Sequence, residues 1–181
     1  MTAERTSVRG VVPVDQIWSW LSDVADPEIP VISIVDLGII RNVEWIGAPG
    51  EENLVVTITP TYSGCPATEV IADSIKAELR GHGLELVSLK QQLSPPWTTD
   101  WLSTTGREKL NAYGIAPPQC GANEHIVDVS RIFVRAVQEK VPCPQCGSTN
   151  TSELSRFGST PCKALFRCNA CAEPFDYFKP H

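Results

Sequence analysis

Apolar residues near the start of the chain recur at a helical period. Val14, Ile17, Trp18 and Leu21 stand at i, i+3, i+4 and i+7, which is one face of a short helix. That helix must stop before Pro27, because the residue preceding a proline is pushed out of the α region. Asp26-Pro27-Glu28-Ile29-Pro30 then reads as a stiff loop. Residues 34–46 are rich in Ile and Val and predict a strand, with Gly38 as a bulge or a close backbone approach. Leu54-Val55-Val56-Thr57-Ile58 predicts a second strand, reached through a turn at Gly50. Ala67, Val70, Ile71, Ile75 and Leu79 form the stripe of a longer helix. It opens on Pro66, where no backbone donor is needed, and ends at Gly81 and Gly83. Residues 84–93 predict a third strand and residues 97–113 a further helical stretch. In that stretch Thr105 and Glu108 fit a capping box and Gly114 fits the stop. The order α-β-β-α-β-α predicts an α+β fold, a small domain of helices on an antiparallel or mixed sheet.

Charge divides the chain unequally. The 181 residues carry 15 basic and 21 acidic groups, a net charge of −6. Residues 1–115 hold 8 basic and 15 acidic groups (8 − 15 = −7), and residues 116–181 hold 7 and 6 (7 − 6 = +1). The expected organisation is a first domain over 1–115, a linker over 116–130 marked by Pro117 and Pro118, and a second domain over 131–181. No basic stripe with interleaved aromatics is present, so a nucleic-acid partner is not expected. No apolar run approaches the ~18 residues of a membrane span, and the polar first residues lead into no signal-peptide stretch. A cytoplasmic protein with no membrane partner is therefore expected. The pattern is compatible with a homodimer and does not demand one.

Chemistry concentrates in the seven cysteines. In a reducing compartment metal binding or thiol chemistry outranks a disulfide framework, and the odd count points the same way. Cys143-Pro144-Gln145-Cys146-Gly147 and Cys168-Asn169-Ala170-Cys171 are two CxxC pairs separated by 21 residues. Two such turns can offer four sulfurs to one tetrahedral ion. The interval accommodates two short strands and a turn, and a segment this small needs a metal staple to fold. The reading is a β-rich ribbon holding zinc at Cys143, Cys146, Cys168 and Cys171. Four thiolates also suit an iron–sulfur site. Cys162, six residues before Cys168, is either an extra ligand or a spare thiol. Cys120 and His125, near the linker, are expected to be solvated.

Cys65 carries a separate expectation. Tyr62-Ser63-Gly64 places it at a helix start, where free N–H groups and the helix dipole stabilise an anion. Thiolate is the form that attacks electrophiles and binds soft metals. The alternative is a buried, inert cysteine. Asp26, Glu28 and Asp36, in and after the Pro-rich loop, could orient Cys65 or help hold a metal, or serve only loop and cap chemistry. Trp18, Trp20, Trp97 and Trp101 are expected as core or interface anchors.

Three motifs in order, Asp26-Pro27-Glu28-Ile29-Pro30, Val35-Asp36-Leu37-Gly38-Ile39-Ile40 and Thr59-x-Thr61-x2-Gly64-Cys65-Pro66, resemble the small domain of iron–sulfur assembly factors. That group includes bacterial SufT and the cytosolic iron–sulfur targeting proteins of eukaryotes. The stretch from Pro96-Trp97 through Tyr113-Gly114-Ile115, with the ribbon ending Phe175-Asp176-Tyr177-Phe178-Lys179-Pro180, is similar to the PaaD (or PaaJ) branch. The resemblance implies an accessory role in aerobic phenylacetate breakdown, beside a multicomponent oxygenase that epoxidises phenylacetyl-CoA. It implies maturation of that oxygenase's iron centres, di-iron or iron–sulfur, without catalytic turnover. The functional thiol maps onto Cys65, with a transient iron or cluster there, and the ribbon ligands onto Cys143, Cys146, Cys168 and Cys171. The family pattern also has a cysteine where Cys162 stands. The implied partners are subunits of the oxygenase or the iron–sulfur assembly machinery. A stoichiometric structural or regulatory subunit of the oxygenase is the alternative. A nucleophilic transferase is less well supported, since no histidine is suggestively placed.

Overall fold

The computed structural model describes residues 12–48, 51–119 and 140–180. Gly50, Cys120, His125 and residues 120–130 of the expected linker lie outside the described residues. Among those described, the order is α1 (Val14–Leu21), β1 (Ile40–Ile46), β2 (Asn53–Ile58), α2 (Ala67–Gly81), β3 (Val87–Gln91), α3 (Thr104–Tyr113) and β4 (Ile115–Ala116), then β5 (Thr151–Ser155), β6 (Lys163–Cys168) and β7 (Pro174–Phe178). The first half is α+β in the expected order.

The first sheet runs β1-β2-β3, and it is mixed. β1 and β2 form an antiparallel pair, while β2 and β3 run parallel with Val56 opposite Leu89. A parallel pair cannot be joined by a hairpin, so α2 serves as the crossover and lies on the sheet. Of its expected stripe, Ala67, Ile71, Ile75 and Leu79 are buried, with Ile17 and Leu21 of α1 in the same core, whereas Val70 is exposed. The residues expected to start β1 form turns instead. Leu37 N–H bonds the Ser33 carbonyl at 3.0 Å and Gly38 N–H bonds that of Val35 at 2.9 Å. The Ser33 hydroxyl accepts from Asp36 N–H at 3.0 Å, a local bond that competes with strand pairing. Gly38 has φ of 69°, and a Cβ there would stand 2.4 Å from the Trp101 carbonyl oxygen. The close approach expected of Gly38 is therefore real, but it comes before the strand rather than inside it.

The stretch after β3 also differs in detail. Thr99–Trp101 forms one 3-10 turn, and α3 begins at Thr104 with Ser103 as its cap. The Ser103 hydroxyl accepts from Gly106 N–H at 2.8 Å. The cap thus precedes the expected Thr105, because Ser103 is also anchored through its N–H to the Asp36 carbonyl at 2.8 Å. Gly114 closes the helix in the left-handed region at φ 91°.

The second sheet has the order β4-β7-β6-β5. β5, β6 and β7 are an antiparallel meander, and β4 adds a parallel edge through Ile115 opposite Asp176. β4 begins at the last residue of the expected first domain and continues into Ala116, the first of the expected linker. Packing crosses the same boundary. Cys162 and Phe178 of the ribbon are 4% and 1% exposed, and both belong to the first domain's core. Phe178 meets Trp97 edge to face at 6.0 Å between ring centres. The ribbon has its own small core of Val141, Ala164, Phe166, Phe175 and Tyr177, beside Cys143 and Cys168. No helix among the described residues is long and apolar enough to cross a membrane.

Candidate metal centre and thiol site

The ribbon's two knuckles have the same backbone design. In the first, Gly147 N–H returns to the Cys143 carbonyl at 2.8 Å, and Gly147 takes φ of 72°. In the second, Ala172 occupies the equivalent place after Cys171 at φ 66°. The Cys143, Cys146, Cys168 and Cys171 sulfurs all lie within 4.8 Å of one another. The Cys143 to Cys171 separation is 3.8 Å and that of Cys146 to Cys168 is 3.6 Å. Metal–sulfur bonds of about 2.3 Å at tetrahedral angles require sulfurs about 3.8 Å apart. The four donors therefore fit one four-coordinate ion.

Electrostatics favours a cation in the same place. The Cys171 N–H, 3.5 Å from the Cys168 sulfur, draws that thiol down to about 6. At Cys171 the N–H of Glu173 pulls downward, but burial and the Cys168, Cys146 and Cys143 sulfurs outweigh it and push the thiol up to about 12. A charged Cys168 sulfur thus makes Cys171 keep its proton. A bound cation removes that conflict and lets all four ionise.

Cys162 stands elsewhere. Six residues of extended chain, about 20 Å at 3.3 Å per residue, separate it from Cys168 along β6. Its sulfur lies 3.7 Å from Glu28 Oε2 and 3.0 Å from the Thr160 hydroxyl. The structure places this residue against the Pro-rich loop of the first domain, not among the ribbon sulfurs. Burial pushes the Cys162 thiol up to about 11, against the Thr160 hydroxyl and with help from the Glu28 carboxylate.

The Pro-rich loop is held by its own aspartate. Asp26 Oδ1 accepts from the N–H groups of Glu28 at 2.9 Å and Ile29 at 2.8 Å. Asp26 N–H bonds the Ile32 carbonyl at 2.9 Å, and Ala25 bridges Ser33. Burial raises the Asp26 carboxyl above the ordinary range, and the two N–H bonds only partly oppose it. Asp26 is thereby a loop former, and it leaves Glu28 half-buried and turned to Cys162. Asp36 points to other partners. Its Oδ2 lies 2.6 Å from Lys109 Nζ, and its Oδ1 accepts from the Ser103 hydroxyl at 2.9 Å. Asp36 therefore fastens α3 to the first domain.

Cys65 is half-buried in the loop that leaves the carboxyl end of β2 (Asn53–Ile58), one residue before Pro66, the cap of α2. Ligands of open α/β sheets gather at such strand ends. Its N–H bonds the Tyr62 carbonyl at 3.2 Å, and its carbonyl accepts from the Thr68 hydroxyl at 2.8 Å. These bonds fix the backbone and leave the sulfur at the surface of the core. Tyr62 ties the thiols together electrostatically. Burial pushes its phenol up to about 12, and Cys65, Cys162 and Glu28 all add to the push. Beside this loop runs a groove of about 530 Å³ lined by residues including Thr59, Tyr62, Leu93, Pro96 and Trp97.

Sequence reasoning assigned no role to Tyr62 or Lys163. Tyr62 was legible as a neighbour of Cys65 in the loop. Lys163, 5% exposed and paired with Asp176 at 3.3 Å, had no sequence signal beyond adjacency to Cys162.

Two protein families match different stretches of the chain. The PaaD zinc beta ribbon domain matches residues 128–179, and the iron–sulfur cluster assembly protein family matches residues 14–88. A relative from Escherichia coli (strain K12), named as a putative subunit of 1,2-phenylacetyl-CoA epoxidase, is 46% identical over 169 residues, covering 92% of each chain. A Bacillus subtilis (strain 168) protein, named "Fe-S protein maturation auxiliary factor YitW", is 34% identical over 95 residues, covering 49% of this chain and 84% of its own. A crystal structure of a domain of unknown function, DUF59, from Bacillus anthracis matches with a TM-score of 0.46 and 28% identity, covering 53% of this chain and 89% of its own.

Proposed function

The chain belongs to the PaaD family of phenylacetyl-CoA epoxidase subunits, in which a zinc ribbon is joined to an iron–sulfur assembly domain, and from that premise we propose that it is an accessory protein that helps build the iron centres of that epoxidase. Cys65 presents its sulfur to iron, to a cluster, or to a client cysteine, and Glu28 shapes the surroundings. The ribbon ion is zinc. With four protein ligands it has no open position, so it folds the ribbon and performs no reaction. The observation that carries this reading is the setting of Cys65. It is a half-buried thiol in the loop between β2 and α2, just before the helix start, inside the region matched by the assembly family.

The test is iron analysis of the epoxidase produced with wild-type chain or with Cys65→Ala. The variant is expected to leave the oxygenase depleted of iron while the ribbon keeps its zinc. Fully iron-loaded oxygenase in the presence of Cys65→Ala would overturn the reading.

The Escherichia coli relative is named as a subunit, which favours a second reading, a stoichiometric component of the working complex. That reading expects co-purification at a constant ratio, and loss of activity when the chain is stripped from already matured enzyme. The maturation reading expects the stripped enzyme to stay active.

A further inference from the structure

We infer that Cys162 and Glu28 are the preformed half of a second metal-binding site at the junction of the two domains, completed by Cys65 and suited to a thiophilic divalent ion. The inference deepens the maturation reading and rests on it for the identity of the cargo, iron(II).

A tetrahedral ion with a metal–sulfur bond of about 2.3 Å and a metal–oxygen bond of about 2.1 Å holds those two donors about 3.6 Å apart. Cys162 Sγ and Glu28 Oε2 stand 3.7 Å apart, although 134 residues separate them in the chain. Two elements fix the pair from opposite sides. Asp26 anchors the Glu28 backbone, and the ribbon delivers Cys162 through Lys179 N–H, which bonds the Cys162 carbonyl at 3.0 Å. Cys65 is the third donor of the proposed site, because it is half-buried against the same core cluster that contains Cys162.

The donors are less tightly gathered than those of the ribbon. Among the described residues, only the four ribbon sulfurs form a set of three or more within 4.8 Å. Closing the junction site requires Cys65 to turn inward. That requirement suits a site that must release its ion, since closure offsets part of the binding energy. The ion replaces the thiol protons of Cys162 and Cys65, which leave to solvent, and Glu28 binds as the carboxylate. The nearby cation Lys163 faces Asp176 at 3.3 Å, which offsets its repulsion.

The test is an anaerobic titration of the zinc-loaded full chain with cobalt(II). Cobalt does not displace zinc from the ribbon, because zinc stands above it in the affinity order. Wild type is expected to take up one cobalt with a thiolate charge-transfer band. Cys65→Ala and Cys162→Ser should each lose most of that band, and Glu28→Gln should weaken binding at least about tenfold. Cys162→Ser retains a hydroxyl facing Glu28, and unchanged zinc content and melting temperature identify a folded variant. Cys162→Ala serves if the serine variant fails that check. No cobalt uptake by the zinc-loaded wild type, or unchanged binding in a folded Cys162 variant, would overturn the inference. Iron loading of the epoxidase separates the two proposals. If Cys65→Ala abolishes loading while Cys162→Ser binds cobalt normally, the junction site falls and the maturation reading stands. If Cys65→Ala loads iron normally, the maturation reading falls, and the junction site is still decided by the cobalt titration.

Discussion

The two sulfur-bearing regions of this chain use the same element in opposite ways. In the ribbon, four thiols sit on two rigid turns and are already gathered to the spacing of one ion. At the domain junction, Cys65 is half-buried on a loop, and only Cys162 and Glu28 are set close together. Four ligands already in place suit a structural ion, whereas the site proposed at the junction would bind more weakly because it must first close. The comparison also shows how one depends on the other. β6 carries Cys168 at one end and leads back to Lys163 and Cys162 at the other. An ion held by the ribbon would therefore order the strand that leads back to Cys162.

The largest effect is expected from emptying the ribbon. Cys168→Ser, or a strong chelator, should remove a metal contribution on the order of 10 kcal/mol and dissolve the β5–β6–β7 meander. Because Phe178 packs on Trp97, the loss should be visible in tryptophan fluorescence and in hydrogen exchange of β4, while the amides of α2 stay protected. Unchanged protection across β6 and β7 after zinc release would break the link between the two sites.

Next comes the Trp97 contact itself. Trp97 is 3% exposed, and its indole N–H donates to the Leu37 carbonyl at 2.8 Å. Trp97→Ala should lower stability by about 3–5 kcal/mol in a urea melt. If the two halves are coupled as described, one transition shifts as a whole. A shift confined to the first domain would show that the ribbon melts independently.

These two regions were not equally legible in the sequence. The ribbon was readable because CxxC spacing is local and each knuckle builds itself. The stripe of α2 and the order of the elements were readable for the same reason. Residues 34–38 read as strand because their Ile and Val content hid a turn set by Ser33 and by the close approach of Gly38 to Trp101. Asp36 was open between orienting the thiol or a metal and serving loop and cap chemistry. Its partners Ser103 and Lys109 are 67 and 73 residues away, so no local pattern could reveal them. Cys162 was ambiguous because proximity along the chain pointed to Cys168, whereas a strand carries the two apart. Long-range pairing decided each of these cases, and periodicity does not encode it.

Smaller effects separate the two aspartates by pH. Asp36 is affected first by burial, which pushes its carboxyl up. The hydrogen bonds from Lys109 and Ser103 outweigh this and hold it below the ordinary range. Its folded value is depressed, so its stabilisation is present above the unfolded value near 4 and is lost as pH falls through the folded one. Asp36→Asn should lower stability by about 1 kcal/mol at pH 7, and the gap to wild type should close in acid. Asp26 has the opposite sign, because burial raises its folded value. Its ionised form disfavours the fold above that value, and the penalty fades as pH falls. Asp26→Asn keeps an oxygen for the Glu28 and Ile29 N–H groups, so its melting temperature at pH 7 should equal or exceed that of wild type, with the advantage shrinking in acid. Melts at several pH values check both signs, and a parallel response of the two variants would contradict them.

The smallest effect tests the symmetry of the two knuckles. Gly147 and Ala172 each follow the second cysteine of a pair, at φ of 72° and 66°. Glycine reaches that region freely, whereas for alanine the approach of its Cβ to the backbone costs about 1 kcal/mol. Ala172 is exposed, so its methyl group recovers little by burial. Ala172→Gly should therefore stabilise the ribbon by about 0.5–1 kcal/mol, after allowing for the extra freedom glycine gives the unfolded chain. Gly147→Ala should do the reverse by a similar amount. A Cβ at 147 would meet no atom within 4 Å, so backbone strain alone sets that cost. Thermal melts of the zinc-loaded chain should show shifts of about 2–4 °C per kcal/mol, equal in size and opposite in sign. If Ala172→Gly instead destabilises, the second knuckle is not a strained copy of the first, and the alanine methyl stabilises the ribbon through contacts that outweigh its backbone strain.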